Sequence, residues 1–450
     1  MRSALRGAPA RPRAKTPSNA GTSAWLALPV AGALALLSGG CNLIFGIHEG
    51  QPTGGGGGGG TAGAGGGAGA GGGSVCPPEK PATCDAAFLS DPENCCLAGR
   101  SCQGGTCDGG ECLSVEHGHS LNEGESITIA RAGDYVLWAG GWERALYRTD
   151  VDGNSFVTLV SPEQTDHKYI TMIAADPDPS GYVFFTDYDG GAIGRASIET
   201  GQTVTLAKVP DAIVPGARAM WGRILVHGDF VYWALDFQAH DRMTGAQVGK
   251  HIWRAPREPQ GALPVEAEMV VKTEGAFGIA GDDDYLYFGN NDPVAYTYTL
   301  ERVAWADLDK KDVKGDPDAS THEVLASGDN QIGDLAVDNE RVFWAVMGTV
   351  RFQDKALPKS LITTLPPADT WVWGIATDSR DVYFTSVGDG SAIQGALWRM
   401  PLSGAGQLER LYTTEPDGIS TFLNVFGLTE DCDTVYFAVP QGGVIRRITK

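Results

Sequence analysis

From about residue 116 to the end of the chain, apolar and polar positions alternate in short runs that Gly, Asp, Asn and Pro interrupt. The runs are rich in β-branched and aromatic residues, and none of them keeps the 3.6-residue period of a helix. This pattern predicts short, half-buried β-strands joined by tight turns.

One of these strands recurs seven times, as "DYVLW", "GYVFF", "DFVYW", "DYLYF", "ERVFW", "RDVYF" and "DTVYF". The copies end at Trp138, Phe185, Trp233, Phe288, Trp344, Phe384 and Phe437, with spacings of 40 to 56 residues. Repeats of this length are typical of propellers with four strands per blade. The sequence therefore predicts an all-β, seven-bladed β-propeller over residues 115–450, with six or eight blades as alternatives.

Two further strands of the blade can be located around this repeat. Upstream is an innermost strand that begins with aromatic-glycine and ends with an acid, as in "FGIAGD", "WGIATD" and "FGLTED", with the variants "IGDLAVD" and "WGRILVHGD". Downstream is a strand with the pattern Ile/Leu-x-Arg, which supplies Arg148, Arg195, Arg254, Arg399 and Arg447. Small residues in the innermost strand suit the crowding of seven strands around one axis.

The second copy, "GYVFFTDYDGGAIGRASIETG", resembles the YWTD repeat of lipoprotein-receptor propellers. It is also similar to NHL and TolB-type blades. The resemblance implies a propeller. YWTD propellers normally have six blades, whereas seven repeats are counted here.

The first 40 residues are predicted to be a lipoprotein signal peptide. A basic leader precedes "AWLALPVAGALALL", which is shorter than a membrane-spanning helix and suits the core of a signal peptide. The following "SGGC" resembles the lipobox of bacterial lipoproteins, which implies that Cys41 carries lipid; an ordinary secretory signal is the alternative. Residues 41–75 would form the anchor and a flexible linker, because 15 of residues 54–73 are Gly. The expected location is the bacterial cell envelope, at the outer membrane or cell surface or on the periplasmic side.

Residues 76–114 are predicted to form a small disulfide module. Cysteine density of this kind in an exported protein favours disulfides over zinc, for which the paired Cys-x-x-Cys motif is missing. Together with the one cysteine near the C-terminus, the expected disulfide residues are Cys76, Cys84, Cys95, Cys96, Cys102, Cys107, Cys112 and Cys432.

An odd number of module cysteines and an incomplete last blade suggest how the ring closes. After "FGLTEDCDTVYFAVPQGGVIRRITK" the chain ends with three strands and no fourth. We expect residues 112–122 to supply the missing outer strand beside 443–449, which would remove an open sheet edge. We also expect Cys432 to pair with a module cysteine, with Cys112 or Cys107 as first choices.

Charge excludes one class of partner. Without the five basic residues of the first 40, 29 Lys and Arg face 55 Asp and Glu, a net charge near −26. Such a chain repels phosphate backbones, so no nucleic-acid partner is expected.

Metal sites are weakly indicated. Asp187 and Asp189 in "FTDYDGG" have alternate spacing, as in the start of a calcium loop, but the segment occupies a hairpin connection where Asp and Gly favour a turn. "DVDGN" at 150–154 lacks the distal Glu of such a loop. His117 and His119 could form a metal pair, but a solvated linker is the favoured interpretation. No cofactor is expected, with calcium as the alternative.

The leading functional prediction is a noncatalytic binding or scaffold lipoprotein that recognises an envelope protein or a carbohydrate and meets the membrane only through its lipid. Insertions at 235–250 and 290–302 should form a rim on one face. Its expected residues are Phe237, His240, Arg242, Asn291, Tyr296 and Tyr298. The alternative is a metal-dependent hydrolase or lactonase, or a lyase-like enzyme, with Asn330, Asp334 and Asn424 as the positions to inspect.

Overall fold

The computed structural model is almost entirely β. The residues that it describes are 84–96, 100–108, 111–119, 126–140, 145–164, 170–176, 181–187, 192–209, 222–235, 251–258, 261–292, 294–313, 315–356, 362–364, 372–378, 380–387, 394–402, 408–414, 427–430, 434–439 and 443–450. None of the helices in this part of the chain is long and apolar enough to cross a membrane.

Seven blades of four antiparallel strands form the ring, and in blades 1 to 6 the strands follow chain order from the innermost strand outward. Their strands are, for blade 1, Ser126–Ala132, Tyr135–Gly140, Ala145–Asp150 and Val157–Val160; for blade 2, Ile170–Ala175, Tyr182–Asp187, Ala192–Ser197 and Thr203–Lys208; for blade 3, Ile224–His227, Phe230–Ala234, Ile252–Pro256 and Glu268–Val271; for blade 4, Ala276–Gly281, Tyr285–Asp292, Thr297–Ala304 and Glu323–Asp329; for blade 5, Ile332–Val337, Arg341–Val346, Thr349–Asp354 and Thr363–Thr364; for blade 6, Val372–Thr377, Asp381–Ser386, Ala396–Pro401 and Glu409–Thr413; and for blade 7, Leu428–Glu430, Thr434–Val439, Val444–Thr449 and Val115–His119.

The blades close into a ring. Each innermost strand contacts that of the next blade, and the innermost strand of blade 7 contacts that of blade 1. The predicted seven-bladed fold is therefore confirmed. Short strands Cys107–Asp108, Glu111–Cys112 and Val265–Glu266 and four single-turn 3₁₀ helices, Ala86–Phe88, Pro162–Gln164, Trp305–Asp307 and Ala319–Thr321, complete the described elements. The short strand Val265–Glu266 pairs in parallel with the outer strand of blade 2.

Blade 7 takes its outer strand from the segment that precedes blade 1. Val115 pairs with Arg447, and His119 pairs with Val444, in antiparallel register. The predicted closing strand is thus confirmed.

Because strands alternate in direction, the propeller has two distinct ends. The turns between strands one and two and between three and four lie at one end, which we call the module end. The connections between strands two and three, and from one blade to the next, lie at the distal end.

Large buried aromatic side chains fill the spaces between blades. The aromatic residues that end the repeated five-residue pattern are fully buried, among them Trp138, Phe185, Phe288, Trp344 and Phe437. Each such ring pairs with the Ile or Leu of the innermost strand, as Trp138 does with Ile129. The sequence repeat is therefore the hydrophobic core itself.

The arginine of the Ile/Leu-x-Arg pattern joins neighbouring blades. Arg148 lies 4.4 Å from the Tyr135 ring centre and donates to the backbone oxygen of Ile198 in blade 2 at 2.5 Å. Equivalent bonds to the next blade are Arg195 to Arg257 O, Arg302 to Lys355 O and Arg447 to Val151 O. The stacked ring and the carbonyl hold the guanidinium on both sides.

The acid that ends the innermost strand also has a structural role. Asp282 Oδ1 accepts hydrogen bonds from the backbone N–H groups of Asp284 and Tyr285, which closes the hairpin turn. Its Oδ2 accepts from Lys355 Nζ of blade 5 at 2.5 Å. The same clasp joins Asp176 to Arg257 and Asp378 to Lys450.

Three blades vary this clasp, and blade 1 carries Ala132 at the acid position. Blade 3 carries His227 at the acid position, and its ring stacks on Trp305 of blade 4 at 3.9 Å. Blade 5 keeps Asp338 at the acid position, but blade 6 carries Leu402 where blades 3, 5 and 7 supply the Lys or Arg of the clasp. Asp338 Oδ2 therefore accepts no hydrogen bond within the described part of the chain.

Candidate functional site

One residue in or directly before each innermost strand lies beside the axis towards the distal end. It directly precedes the Ile or Leu that pairs with the repeated aromatic residue. This axial position holds Thr128, Met172, Arg223, Gly278, Asp334, Gly374 and Gly427 in blades 1 to 7. Glycine is needed where strands approach closely, since a Cβ on Gly427 would lie 2.9 Å from the Ile129 side chain.

The two charged residues of this ring form an ion pair with each other. Arg223 of blade 3 reaches past Gly278 of blade 4 to the carboxylate of Asp334 in blade 5. The exposed fractions of the two residues are 3% and 1%. The pair therefore joins non-adjacent blades from inside the ring.

Backbone groups hold the Asp334 carboxylate as well. Its Oδ1 accepts from Leu335 N and its Oδ2 from Ile375 N of blade 6, both at 2.8 Å. Thr128 makes the matching contact in blade 1, where its hydroxyl accepts from Ile173 N of blade 2 at 3.2 Å. A polar side chain at the axial position thus caps the inner strand of the following blade.

Burial dominates the protonation of this pair. It raises the pKa of Asp334 to about 7, although the Arg223 charge and the two backbone N–H groups act in the opposite direction. Burial also lowers the pKa of Arg223, against the attraction of Asp334. An ion pair at this depth makes the packing of blades 3 to 6 sensitive to either side chain.

These contacts bear on the enzyme interpretation, which needed acids and amides facing the axis. Asp334 does lie there, but its oxygens already meet a guanidinium and two N–H groups. Asn330 lies in the turn before the innermost strand of blade 5, with φ of 74°. Asn424 is outside the described residues.

The predicted rim is only partly described. Phe237, His240 and Arg242 lie outside the described residues, in the connection between Ala234 and Ile252. The 290–302 segment is a long hairpin rather than a loop, because its strands pair up to Asp292 and Thr297. Tyr296, near its tip, is 65% exposed.

Two of the expected rim residues are buried instead. Asn291 is 0% exposed and exchanges hydrogen bonds with the backbone of Ile332 in blade 5. Tyr298 is 2% exposed, and its hydroxyl accepts from Trp344 Nε1 and Arg351 Nη1. The prediction that their side chains form part of an exposed rim is wrong, because both join blade 4 to blade 5.

Of the two calcium candidates, the 150–154 segment is a turn, whereas the segment at Asp187 and Asp189 is only partly described. Asp187 ends the second strand of blade 2 and pairs with Ala192, and Asp189 lies outside the described residues. Asp150 Oδ1 accepts from Asn154 N at 2.7 Å, and Gly153 has φ of 82°. An aspartate that accepts from its own turn and a glycine with positive φ are both features of tight turns.

Among the described residues of the module, three disulfides are formed: Cys84–Cys96, Cys95–Cys107 and Cys102–Cys112. The choice of Cys107 or Cys112 as partner of Cys432 is therefore wrong. Cys76 and Cys432 lie outside the described residues. The sulfur atoms of Cys95, Cys102 and Cys112 cluster, but each is committed to a disulfide rather than available as a thiolate for zinc.

The module packs on the module end of blade 7. Arg100, 3% exposed, donates through Nε and Nη2 to the Lys450 backbone oxygen at 3.2 and 3.0 Å. Gln103 accepts from Thr434 Oγ1 through its side chain and from Arg447 through its backbone oxygen. These contacts fix the module against the propeller.

His117 is part of the closing strand, so its placement in a solvated linker was wrong. It is 5% exposed and lies edge-on to Tyr436, with ring centres 5.0 Å apart. Neither ring nitrogen has a hydrogen-bond partner among the described residues. Burial, with the nearby Arg447 charge, lowers its pKa to about 4.

Sequence reasoning missed the Arg223–Asp334 pair, although a signal was present. The variant innermost strands "WGRILVHGD" and "IGDLAVD" carry Arg and Asp where blades 4, 6 and 7 carry Gly. Opposite charges at one repeat position indicate a contact between blades.

No family model and no curated protein sequence matches the chain. Solved structures that resemble it include a nidogen/laminin complex, with 14% identity, a TM-score of 0.42, and 65% of this chain and 96% of that one covered. A mitotic checkpoint complex gives 12% identity, a TM-score of 0.46, and coverage of 76% and 94%. A gluconolactonase from Xanthomonas campestris gives 16% identity, a TM-score of 0.42, and coverage of 64% and 89%. These likenesses favour no function over another.

Proposed function

We propose that the protein is a noncatalytic binding scaffold of the bacterial envelope, anchored by lipid at Cys41, whose propeller recognises a partner with its distal end. The leader, the "SGGC" motif and the glycine tract support the anchor. The disulfide module suits an exported protein.

The observation that favours binding over catalysis is that the Asp334 carboxylate is already held by an ion pair and hydrogen bonds. A divalent cation or a general base would need this carboxylate free, yet Arg223, Leu335 N and Ile375 N engage it. Asp176, Asp282 and Asp378 are likewise engaged by turns and clasps. These four acids of the inner strands thus serve the ring, which favours a rigid scaffold.

The module supports the choice of face. It precedes the propeller in sequence, follows the proposed tether, and packs on the module end of blade 7. A tether that enters from this side leaves the distal end turned away from the membrane. Connections between blades and between second and third strands, where the repeat varies most, lie at that end.

The test uses the full chain in two parallel assays. Glycan and envelope-protein binding is measured with and without calcium, and hydrolysis of ester and lactone panels is measured with and without divalent cations. We expect saturable binding and no turnover. Metal-dependent turnover that Asp334→Ala abolishes, in a variant whose circular dichroism shows a folded propeller, would overturn the proposal.

Labelling with a radioactive fatty acid tests the anchor separately. The chain should acquire lipid, and Cys41→Ser should not. Release of an unlipidated wild-type chain into the medium would contradict anchoring but leave the binding function open.

A further inference from the structure

Backbone strain in the propeller is concentrated at one place. Among its described residues, the only non-glycine residues with positive φ are Tyr296 at 54°, Asn330 at 74° and Met347 at 37°. All three lie in turns at the distal end of blades 4 and 5. Asn tolerates this conformation, but Tyr and Met do not favour it, whereas turns elsewhere in the propeller use glycine.

The same turns expose large apolar side chains. Val294 and Tyr296, at the hairpin tip of blade 4, are 87% and 65% exposed, and Met347, at the equivalent tip of blade 5, is 51% exposed. We call these three residues the distal patch. Non-glycine strain combined with an exposed apolar surface indicates selection for something other than folding.

Below the two tips, the hairpins of blades 4 and 5 share a connected base. Asn291 pairs with Tyr298 across the blade 4 hairpin and bonds to Ile332, which pairs with Val346 directly before Met347. Tyr298, Ile332 and Val346 share one hydrophobic cluster. The patch is therefore presented in a fixed shape, which lowers the entropy cost of binding.

We propose that the distal patch docks a protein segment with an apolar centre and basic flanks. This inference rests on the proposed binding function. Val and Met offer no hydrogen bonds to a sugar, whereas Met and Tyr are enriched in protein interfaces. Asp329, exposed and opposite Thr297 beside Tyr296, adds an acidic edge.

Charge also distinguishes between two protein occupants of the patch, a second copy of this chain and a different, basic protein. The chain has a formal net charge of −21, so a second copy would bring like charge to the acidic edge. A basic partner would be attracted instead, and its binding would weaken with salt.

The probe is a phage-displayed library of random peptides, selected on the full-length protein. Enriched peptides should carry Lys or Arg beside aromatic or aliphatic residues. Tyr296→Gly and Met347→Gly suit the positive φ and should leave the fold intact while raising the peptide Kd by about tenfold or more. Asp329→Asn should reduce the salt dependence of Kd.

The matched control is Val313→Gly, which removes a fully exposed apolar residue at the module end of blade 4. Its Kd should stay within about twofold of the wild-type value, since a surface contact outside the site contributes little. Peptides without basic residues, or peptides whose Kd is unchanged by Tyr296→Gly, would overturn the inference.

Two further outcomes identify other occupants. Glycan binding that Tyr296→Gly abolishes would assign the patch to carbohydrate and reject a protein partner. Self-association in sedimentation that the same variant abolishes would assign it to a second copy. In both cases the proposed binding function survives, whereas it fails if the chain binds nothing and turns over esters.

Discussion

The buried ion pair of Arg223 and Asp334 gives the sharpest test of how the ring is held together. Asp334→Leu would leave the Arg223 guanidinium buried without its counter-charge, and would free the N–H of Ile375. Arg223→Met would leave a buried carboxylate. Removal of one partner of such a pair costs about 3 to 5 kcal/mol, because the remaining charge stays desolvated.

A change of that size is measurable in a propeller of this length. With an unfolding entropy of about 2.1 cal/mol/K per residue over about 330 residues, 3 to 5 kcal/mol corresponds to roughly 4 to 7 °C in Tm. The double variant Arg223→Met/Asp334→Leu removes both charges and fills the space with apolar atoms. Its free energy of unfolding should lie within about 2 kcal/mol of the wild-type value, or above that value.

The assay is denaturant unfolding of all four proteins, analysed as a double-mutant cycle. Single variants that each cost less than about 1 kcal/mol would refute the buried-pair argument, and so would a double variant as unstable as the sum of both. A pH series adds an independent check. Burial raises the pKa of Asp334 to about 7, so the native state holds its proton more tightly than the unfolded state. Wild-type stability should therefore fall relative to Asp334→Leu as pH rises from about 4 to 7.

Three further predictions concern other parts of the molecule. Burial lowers the pKa of His117 to about 4, so its contribution to the free energy of unfolding is present above pH 6.5 and is lost as pH falls towards 4. The loss should be about 3 kcal/mol. His117→Leu should flatten the acid limb of a stability–pH curve, and an unchanged limb would contradict this. Leu402→Lys should give Asp338 Oδ2 the clasp base found in other blades and raise the free energy of unfolding by about 0.5 to 1 kcal/mol in denaturant titrations, while a loss would show that the leucine packing matters more. Nonreducing peptide mapping should recover Cys76 bonded to Cys432, the two cysteines left after the three described disulfides and the proposed lipid on Cys41; either one recovered as a free thiol rejects the pairing.

The closure of the ring shows how much of the fold the repeat count alone could predict. A seventh repeat with only three strands, and an unassigned segment before the first blade, were enough to predict the closing strand, which pairs Val115–His119 with Val444–Arg447. The prediction that residues 112–122 pair beside 443–449 worked because an open strand edge is costly wherever it lies. The disulfide choice failed because spacing along the chain does not fix which cysteines meet.

The exposed rim was predicted from local composition, and there the sequence misled. Asn291 and Tyr298 are polar residues near a hairpin tip, which favours exposure when only local pattern is considered. In the structure, blade 5 packs against that side of the hairpin and supplies their partners, Ile332, Trp344 and Arg351. Whether a polar side chain faces water or a neighbouring blade is a tertiary property.

By itself, the sequence determined the strand pattern, the number of blades and the closing segment, because these depend on periodicity and on the need to pair every edge. Only the tertiary structure decided what the polar repeat positions do. Arg223 and Asp334 lie 111 positions apart in the chain and in blades that do not touch as neighbours, yet the closed ring brings their side chains together at the axis. Contacts across a ring depend on how all seven blades pack, and no local pattern encodes that packing.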